Sequence, residues 1–192
     1  MARATSKMMT LGAAAPAFTL LDPDGNSFSL ESATGNSATL IMFICNHCPY
    51  VKHVREELAR IANDYSDRSI GIFGINSNDA ESYPGDSPEK MKEESATWGY
   101  LFLYLIDADQ SVADAYRAAC TPDFFLFDEN LKLVYRGQLD GSRPANEVPV
   151  DGSDMRAALD ALLAGESVTT EHIPSIGCSI KWKPGNTPSW FG

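Results

Sequence analysis

The feature that most constrains this chain is a change of hydrophobic period at residues 39–65, with two cysteines at the point of change. Thr39 to Ile44 is an unbroken apolar run of strand length, the pattern of a central strand covered on both faces. Cys45-Asn46-His47-Cys48-Pro49 follows directly. Beyond it Val51, Val54, Leu58, Ile61 and Tyr65 recur at steps of three and four, with Lys52, Arg55, Glu56 and Arg60 between them. That spacing predicts an amphipathic helix, and Pro49 suits its first turn. A strand that delivers one thiol to the foot of a helix whose first turn carries a second leaves few folds open.

The rest of the chain alternates strand-like runs with helical periodicities, which predicts α/β layering with a central mixed sheet flanked by helices. Phe18 to Leu30 reads as an N-terminal β-hairpin turning at Asp22-Pro23-Asp24-Gly25-Asn26. This Asp-rich turn lacks the Glu that would complete a calcium loop, so a plain turn is expected. Further strands are expected at Ile70–Ile75, Leu101–Ile106 and, as a hairpin, Phe124–Phe127 with Leu131–Tyr135. Helices are expected from Ser87 to about Trp98 before Gly99, from Gln110 to Ala119, and from about Ser153 to Leu163. The expected organisation is one domain over residues 11–165 and a C-terminal extension, 166–192, packed on it as an irregular strap.

Composition narrows the partners. The 192 residues carry a formal net charge of −11, which opposes nucleic acid and anionic membrane surfaces, both held mainly by Lys and Arg. No apolar run approaches the roughly 18 residues of a membrane span. The stretch Met8 to Ala15 is too short and too weakly apolar for a signal peptide and is cut off by Pro16. A cytoplasmic, reducing compartment is therefore expected, where cysteines are catalytic, metal-binding or buried rather than permanently bridged.

A cysteine at a helix N-terminus faces unpaired N–H groups and the positive dipole end, which favour the reactive thiolate. Cys45, just outside the helix, is expected to be the more accessible nucleophile, and Cys48 the thiol that closes a disulfide with it. An imidazolium at His47 would favour the thiolate further and place the disulfide on the oxidising side of about −270 mV. Cys-x-x-Cys is also half of a zinc site, but no second close ligand pair accompanies it, so no metal is expected. Cys120 and Cys178 read as small buried residues and possible auxiliary thiols. His53 reads as a solvated surface histidine, and Trp98, Trp182 and Trp190 as packing anchors.

Ala119-Cys120-Thr121-Pro122-Asp123 followed by Phe124–Asp128 resembles the cis-proline segment of thioredoxin-like proteins. The segment Leu11 to Gly25 resembles the opening of the alkyl hydroperoxide reductase and thiol-specific antioxidant family. Together they make Leu11 to Leu163 similar to the peroxiredoxin-like branch of the thioredoxin superfamily, which implies a thioredoxin-like fold. The resemblance further implies that Thr121 and Pro122 pack against the Cys45–Cys48 disulfide and contact the partner, beside Asn46, His47 and Pro49. In the peroxidase pattern Pro-x-x-x-Thr-x-x-Cys, matching Cys48 to the peroxidatic cysteine puts Cys45 at the Thr position and Ile41 at the Pro position. None of Arg117, Arg136 and Arg143 can be assigned to the peroxide-binding arginine from sequence.

The departure from that pattern favours a thiol-disulfide oxidoreductase exchanging disulfides through Cys45 and Cys48. The alternative is a thiol-dependent, antioxidant peroxidase that reduces hydroperoxides. A third possibility is a redox-inert binding module. Substrates would be a disulfide-containing protein or a small thiol or hydroperoxide. A recycling reductant such as a thioredoxin or glutathione system would be needed, and no cofactor.

Overall fold

The computed structural model describes residues 3–192. Its centre is a seven-stranded mixed sheet made of β2 (Thr19–Leu21), β3 (Ser27–Ser29), β4 (Ala38–Phe43), β5 (Ile70–Asn76), β6 (Leu103–Ile106), β8 (Asp123–Asp128) and β9 (Leu133–Gly137). They lie in the order β3-β2-β6-β5-β4-β8-β9. β4, β5 and β6 run parallel, while β8 is antiparallel to β4 and β9 to β8. All six residues of β4 are buried, as expected of a strand with both faces covered. The hairpin turn forms as expected, with Asp22 Oδ1 accepting from the Asp24 and Asn26 N–H groups at 2.8 Å each.

Helix α1 (Pro49–Asp64) buries Val51, Val54, Leu58 and Ile61 against one face of the sheet, with Tyr65 at its C-cap. Each such aliphatic side chain contributes about 1.5–3 kcal/mol when fully buried. Helix α2 (Pro88–Trp98) starts at Ser87, whose hydroxyl accepts from the Lys90 N–H, and stops at Gly99 with φ +65°, a left-handed cap that glycine adopts without strain. Helix α4 (Ser153–Leu163) packs on the same sheet face as α1 through Met155, Ala158 and Leu159. On the opposite face Phe18, Phe43, Phe73, Tyr116, Phe125 and Phe127 form an aromatic core with edge-on and tilted rings.

Two elements differ from the sequence expectation. Helix α3 spans only Ser111–Tyr116 and ends at Arg117 in left-handed conformation, φ +52°, freeing residues 118–121 to run toward the thiols. The C-terminal tail is not wholly irregular: Ile176–Ser179 forms β10, which pairs antiparallel with β1 (Arg3–Thr5) and with β7 (Cys120–Thr121) in a separate three-stranded sheet. Buried amides anchor the chain just beyond β10. Lys181 N–H donates to Asn78 Oδ1 at 2.8 Å, and Gln110 Nε2 donates to Lys181 O at 2.9 Å. Backbone-to-amide ties of this kind leave no hydrophobic period, so the run of residues 165–192 carries no periodic signature. No helix among the described residues is long and apolar enough to cross a membrane.

Candidate active site

β4 ends at Phe43 and α1 begins at Pro49, so the five residues between them lie at the C-terminal edge of the sheet, over the helix N-terminus. Cys48 is the N-cap residue of α1. Facing it is the loop between α3 and β8, where the Thr121–Pro122 peptide bond is cis, in agreement with the resemblance drawn from sequence. Thr121 organises the thiols: its Oγ1 lies 3.2 Å from Cys45 Sγ, and its carbonyl accepts from Cys48 Sγ at 3.2 Å. Cys45, Cys48, Asn46, His47, Pro49, Thr121 and Pro122 therefore share one place in the fold.

Neither thiol of the pair is exposed. Cys45 is 1% exposed and Cys48 0%, with Thr121 of β7 against both and Cys178 of β10 beside Cys48. Burial pushes the Cys45 thiol well above its ordinary value, and the neighbouring Cys48 and Asp86 raise it further. The Cys48 thiol is lowered: a hydrogen bond from Cys45 outweighs the cost of burial, with further help from Cys178 and the Val51 N–H at the helix N-terminus. The Thr121 carbonyl opposes a thiolate on Cys48, but a single carbonyl dipole stands against several donors and the helix end. Cys45 and Cys48 titrate as one pair, within which these contacts raise the Cys45 thiol and lower the Cys48 thiol.

His47 does not act as a free imidazolium beside the sulfurs. Its Nδ1 lies 2.6 Å from Asp86 Oδ2, and its ring stacks on Tyr83 at 5.3 Å. A protonated His47 paired with this carboxylate carries no net charge as a unit, which removes the electrostatic argument made from the motif alone. Asp86, 2% exposed, also accepts from the Asn46 N–H (2.8 Å), the His47 N–H (3.3 Å) and Asn78 Nδ2 (2.7 Å). Burial alone would raise its carboxyl, yet these partners hold it below the usual range. Asn46 is fixed on its other side by Tyr104, whose hydroxyl donates to Asn46 Oδ1 at 2.8 Å. Asp86 thus positions the whole Asn46-His47 turn. Sequence reading passed over it, although it lies in the polar segment Tyr83-Pro84-Gly85-Asp86 just ahead of α2.

Cys45, His47 and Asp86 place donor atoms within 4.8 Å of one another, but His47 Nδ1 and Asp86 are committed to each other and to the turn. His53, expected to be solvated, is half-buried with Nε2 2.7 Å from Ser142 Oγ. It lines a narrow cleft with Tyr50, Pro122, Arg143 and Ile176. Arg143 is occupied there by the carbonyls of Asp140 and Ser142 and by the Gln138 side chain. Cys120, 0% exposed, directs its thiol to Pro122 O at 3.5 Å and Ser175 O at 3.9 Å. Cys178 is brought beside the pair, and the neighbouring Cys48 adds to the burial that raises its thiol.

Two solved structures superpose over nearly the whole chain. One is an uncharacterized conserved protein from Geobacillus kaustophilus, 58% identical with TM-score 0.94, covering 96% of this chain and 98% of that one. The other is a hypothetical protein from Sinorhizobium meliloti, 49% identical with TM-score 0.92, covering 94% and 99%. The thioredoxin domain of a thiol-disulfide oxidoreductase from Bacteroides vulgatus shares the fold at 21% identity and TM-score 0.58, over 77% of this chain and 97% of that one. A Mycobacterium tuberculosis protein proposed by name to be a peroxiredoxin is 28% identical over 110 residues, which are 57% of this chain and 65% of that relative's length. The sheet order, the cis-proline loop and the paired thiols agree with the match of residues 10–159 to the Redoxin family, and the chain belongs to that family.

Proposed function

We propose that this protein is an oxidoreductase that exchanges disulfides through Cys45 and Cys48, with Cys48 rather than Cys45 carrying the attacking thiolate. The observation that carries the reading is the pair itself: two free thiols at a helix N-terminus, both held by Thr121 at 3.2 Å. The Cys48 thiolate attacks one sulfur of a substrate disulfide, and the other sulfur leaves as a thiolate. Cys45, giving up its proton, then attacks Cys48 Sγ and displaces the second substrate sulfur. The substrate disulfide is reduced by two electrons, and Cys45–Cys48 is left oxidised. A thiol reductant such as a thioredoxin or glutathione system restores it, in a reducing compartment such as the cytoplasm.

Reduction of hydroperoxides is the second reading, and the burial of both thiols favours it. A closed site admits a small oxidant more readily than a protein, and Cys48 is the residue that stands at the peroxidatic position of the family pattern. Stopped-flow oxidation of the reduced protein by hydrogen peroxide and by oxidised glutathione separates the two. Fast exchange with slow peroxide reaction supports the first; the reverse supports the second. Loss of the fast phase in Cys45→Ser but not in Cys48→Ser would overturn the assignment of the thiolate.

A further inference from the structure

β10 lies unusually close to the cis-proline loop. A Cβ built on Gly177 would sit 2.0 Å from Thr121 O and 2.6 Å from Thr121 C, so only glycine lets the two backbones approach this far. The next residue, Cys178, is the antiparallel Cα partner of Thr121, which puts the two Cα atoms about 4.5–5.5 Å apart. Thr121 is the residue that contacts both Cys45 Sγ and Cys48 Sγ at 3.2 Å. Cys178, 4% exposed, belongs to the same buried cluster as Cys45 and Cys48, and its thiol lies near enough to that of Cys48 for each to shift the other's proton affinity. Cys48 therefore has a thiol neighbour on two sides: Cys45 from the β4–α1 turn and Cys178 from the tail.

From this convergence of three thiols on Thr121 we propose that Cys178 is a third redox-active thiol, which exchanges with the Cys45–Cys48 disulfide by attack on Cys48. The inference rests on the redox role of Cys48 set out above. Cys178 loses its proton and its sulfur bonds to Cys48 Sγ; the Cys45–Cys48 bond breaks and Cys45 leaves as a thiolate that takes up a proton. The step is isoelectronic and needs no further oxidant, because one disulfide is exchanged for another. It moves the disulfide from the β4–α1 turn onto the tail strand and returns Cys45 to the thiol state. Cys178 also competes with Cys45 for any adduct formed on Cys48. Cys120 does not share the role, since its sulfur faces Pro122 O and Ser175 O.

Trypsin makes the bond readable. Cys45 and Cys48 lie on one peptide ending at Lys52, Cys178 on another ending at Lys181, and Cys120 on a third ending at Lys132. Reduced Cys45→Ser is oxidised with one equivalent of diamide, quenched in acid and alkylated. The expected product is a crosslink between the Lys52 and Lys181 peptides, reduced at least tenfold in Cys45→Ser/Cys178→Ala. A Cys45→Ser protein that gives only alkylated Cys48, or a crosslink to the Lys132 peptide, overturns the inference. Because serine at a buried cysteine position can unfold the variant, oxidised wild type is digested as well. There, a detectable Lys52–Lys181 crosslink supports the proposal, and complete Cys45–Cys48 with none overturns it. Wild type that forms no disulfide at all would instead defeat the exchange function on which the inference rests.

Discussion

Asp123 follows the cis bond directly and is 0% exposed, in register with Phe43 of β4. Its Oδ2 accepts one long hydrogen bond, from the Ala119 N–H at 3.3 Å, and its Oδ1 has no partner. Burial dominates and pushes its carboxyl from 3.8 up to about 7; Ser6 and the Ala119 and Phe124 N–H groups favour the ionised form but offset only part of this. The folded value lies above the unfolded one, so the folded protein holds a proton that the unfolded chain has released. Stability contributed by the protonated acid is present below about pH 4 and is lost as pH rises to about 7. At about 1.36 kcal/mol for each tenfold change in proton affinity, the full loss is about 4 kcal/mol.

Asp123→Asn removes that dependence. The amide carbonyl can keep the Ala119 bond, while the new N–H2 group is buried without an acceptor, at a cost of about 1–3 kcal/mol. The variant should therefore be more stable than wild type at pH 8, by about 1–3 kcal/mol, and equal or less stable at pH 5. The difference between the two substitution effects should be about 2.5 kcal/mol, since roughly one proton separates the states over that interval. Urea unfolding of both proteins at pH 5 and pH 8 measures it. Equal substitution effects at the two pH values would refute the argument, because they would mean that Asp123 is ionised in the folded protein throughout.

Three further expectations concern the site. Asp86→Asn turns an amide N–H2 toward the donors that Asp86 now satisfies and should cost about 2–4 kcal/mol in urea unfolding at pH 7; the cost should shrink as pH falls through the lowered Asp86 value, and an undiminished cost at low pH would contradict the assigned ionisation. Gly177→Ala drives a methyl group into Thr121 O, so β10 should lift and alkylation of Cys48 and Cys178 in the reduced protein should quicken at least tenfold; unchanged rates would show that β10 does not cover the thiols. Thr121→Val deletes the hydroxyl that lies 3.2 Å from Cys45 Sγ and favours its ionised form. The pH profile of Cys45 alkylation should then move upward, and a downward move would mean that this hydroxyl accepts from the thiol instead.

Sequence made the layered fold and the position of the thiols legible because both are written locally. Thr39–Ile44 has no polar interruption, α1 keeps its apolar face at every expected position, and the last helix spans Ser153–Leu163 as its period predicts. Elements decided by distant partners were not legible. Nothing near Arg117 announces its left-handed turn, which shortens α3. β10 exists because Gly177 fits over Thr121 and because Asn78 and Gln110 hold Lys181, contacts from three separate segments. His53 reads as polar on a helix face, and only the loop carrying Ser142 turns that position inward.

The same division runs through the chemistry. Cys-x-x-Cys names two thiols that can bridge, but which of them holds the charge depends on groups outside the motif. Asp86, some forty residues later, occupies His47 and sits unfavourably for charge on Cys45. Cys178, 130 positions beyond Cys48 in the chain, supplies a donor that favours charge on Cys48 instead. The proposed reversal, with Cys48 rather than Cys45 attacking, thus draws on two contacts that neither the spacing nor the helix could reveal, added to the burial of Cys45 and its pairing with Cys48.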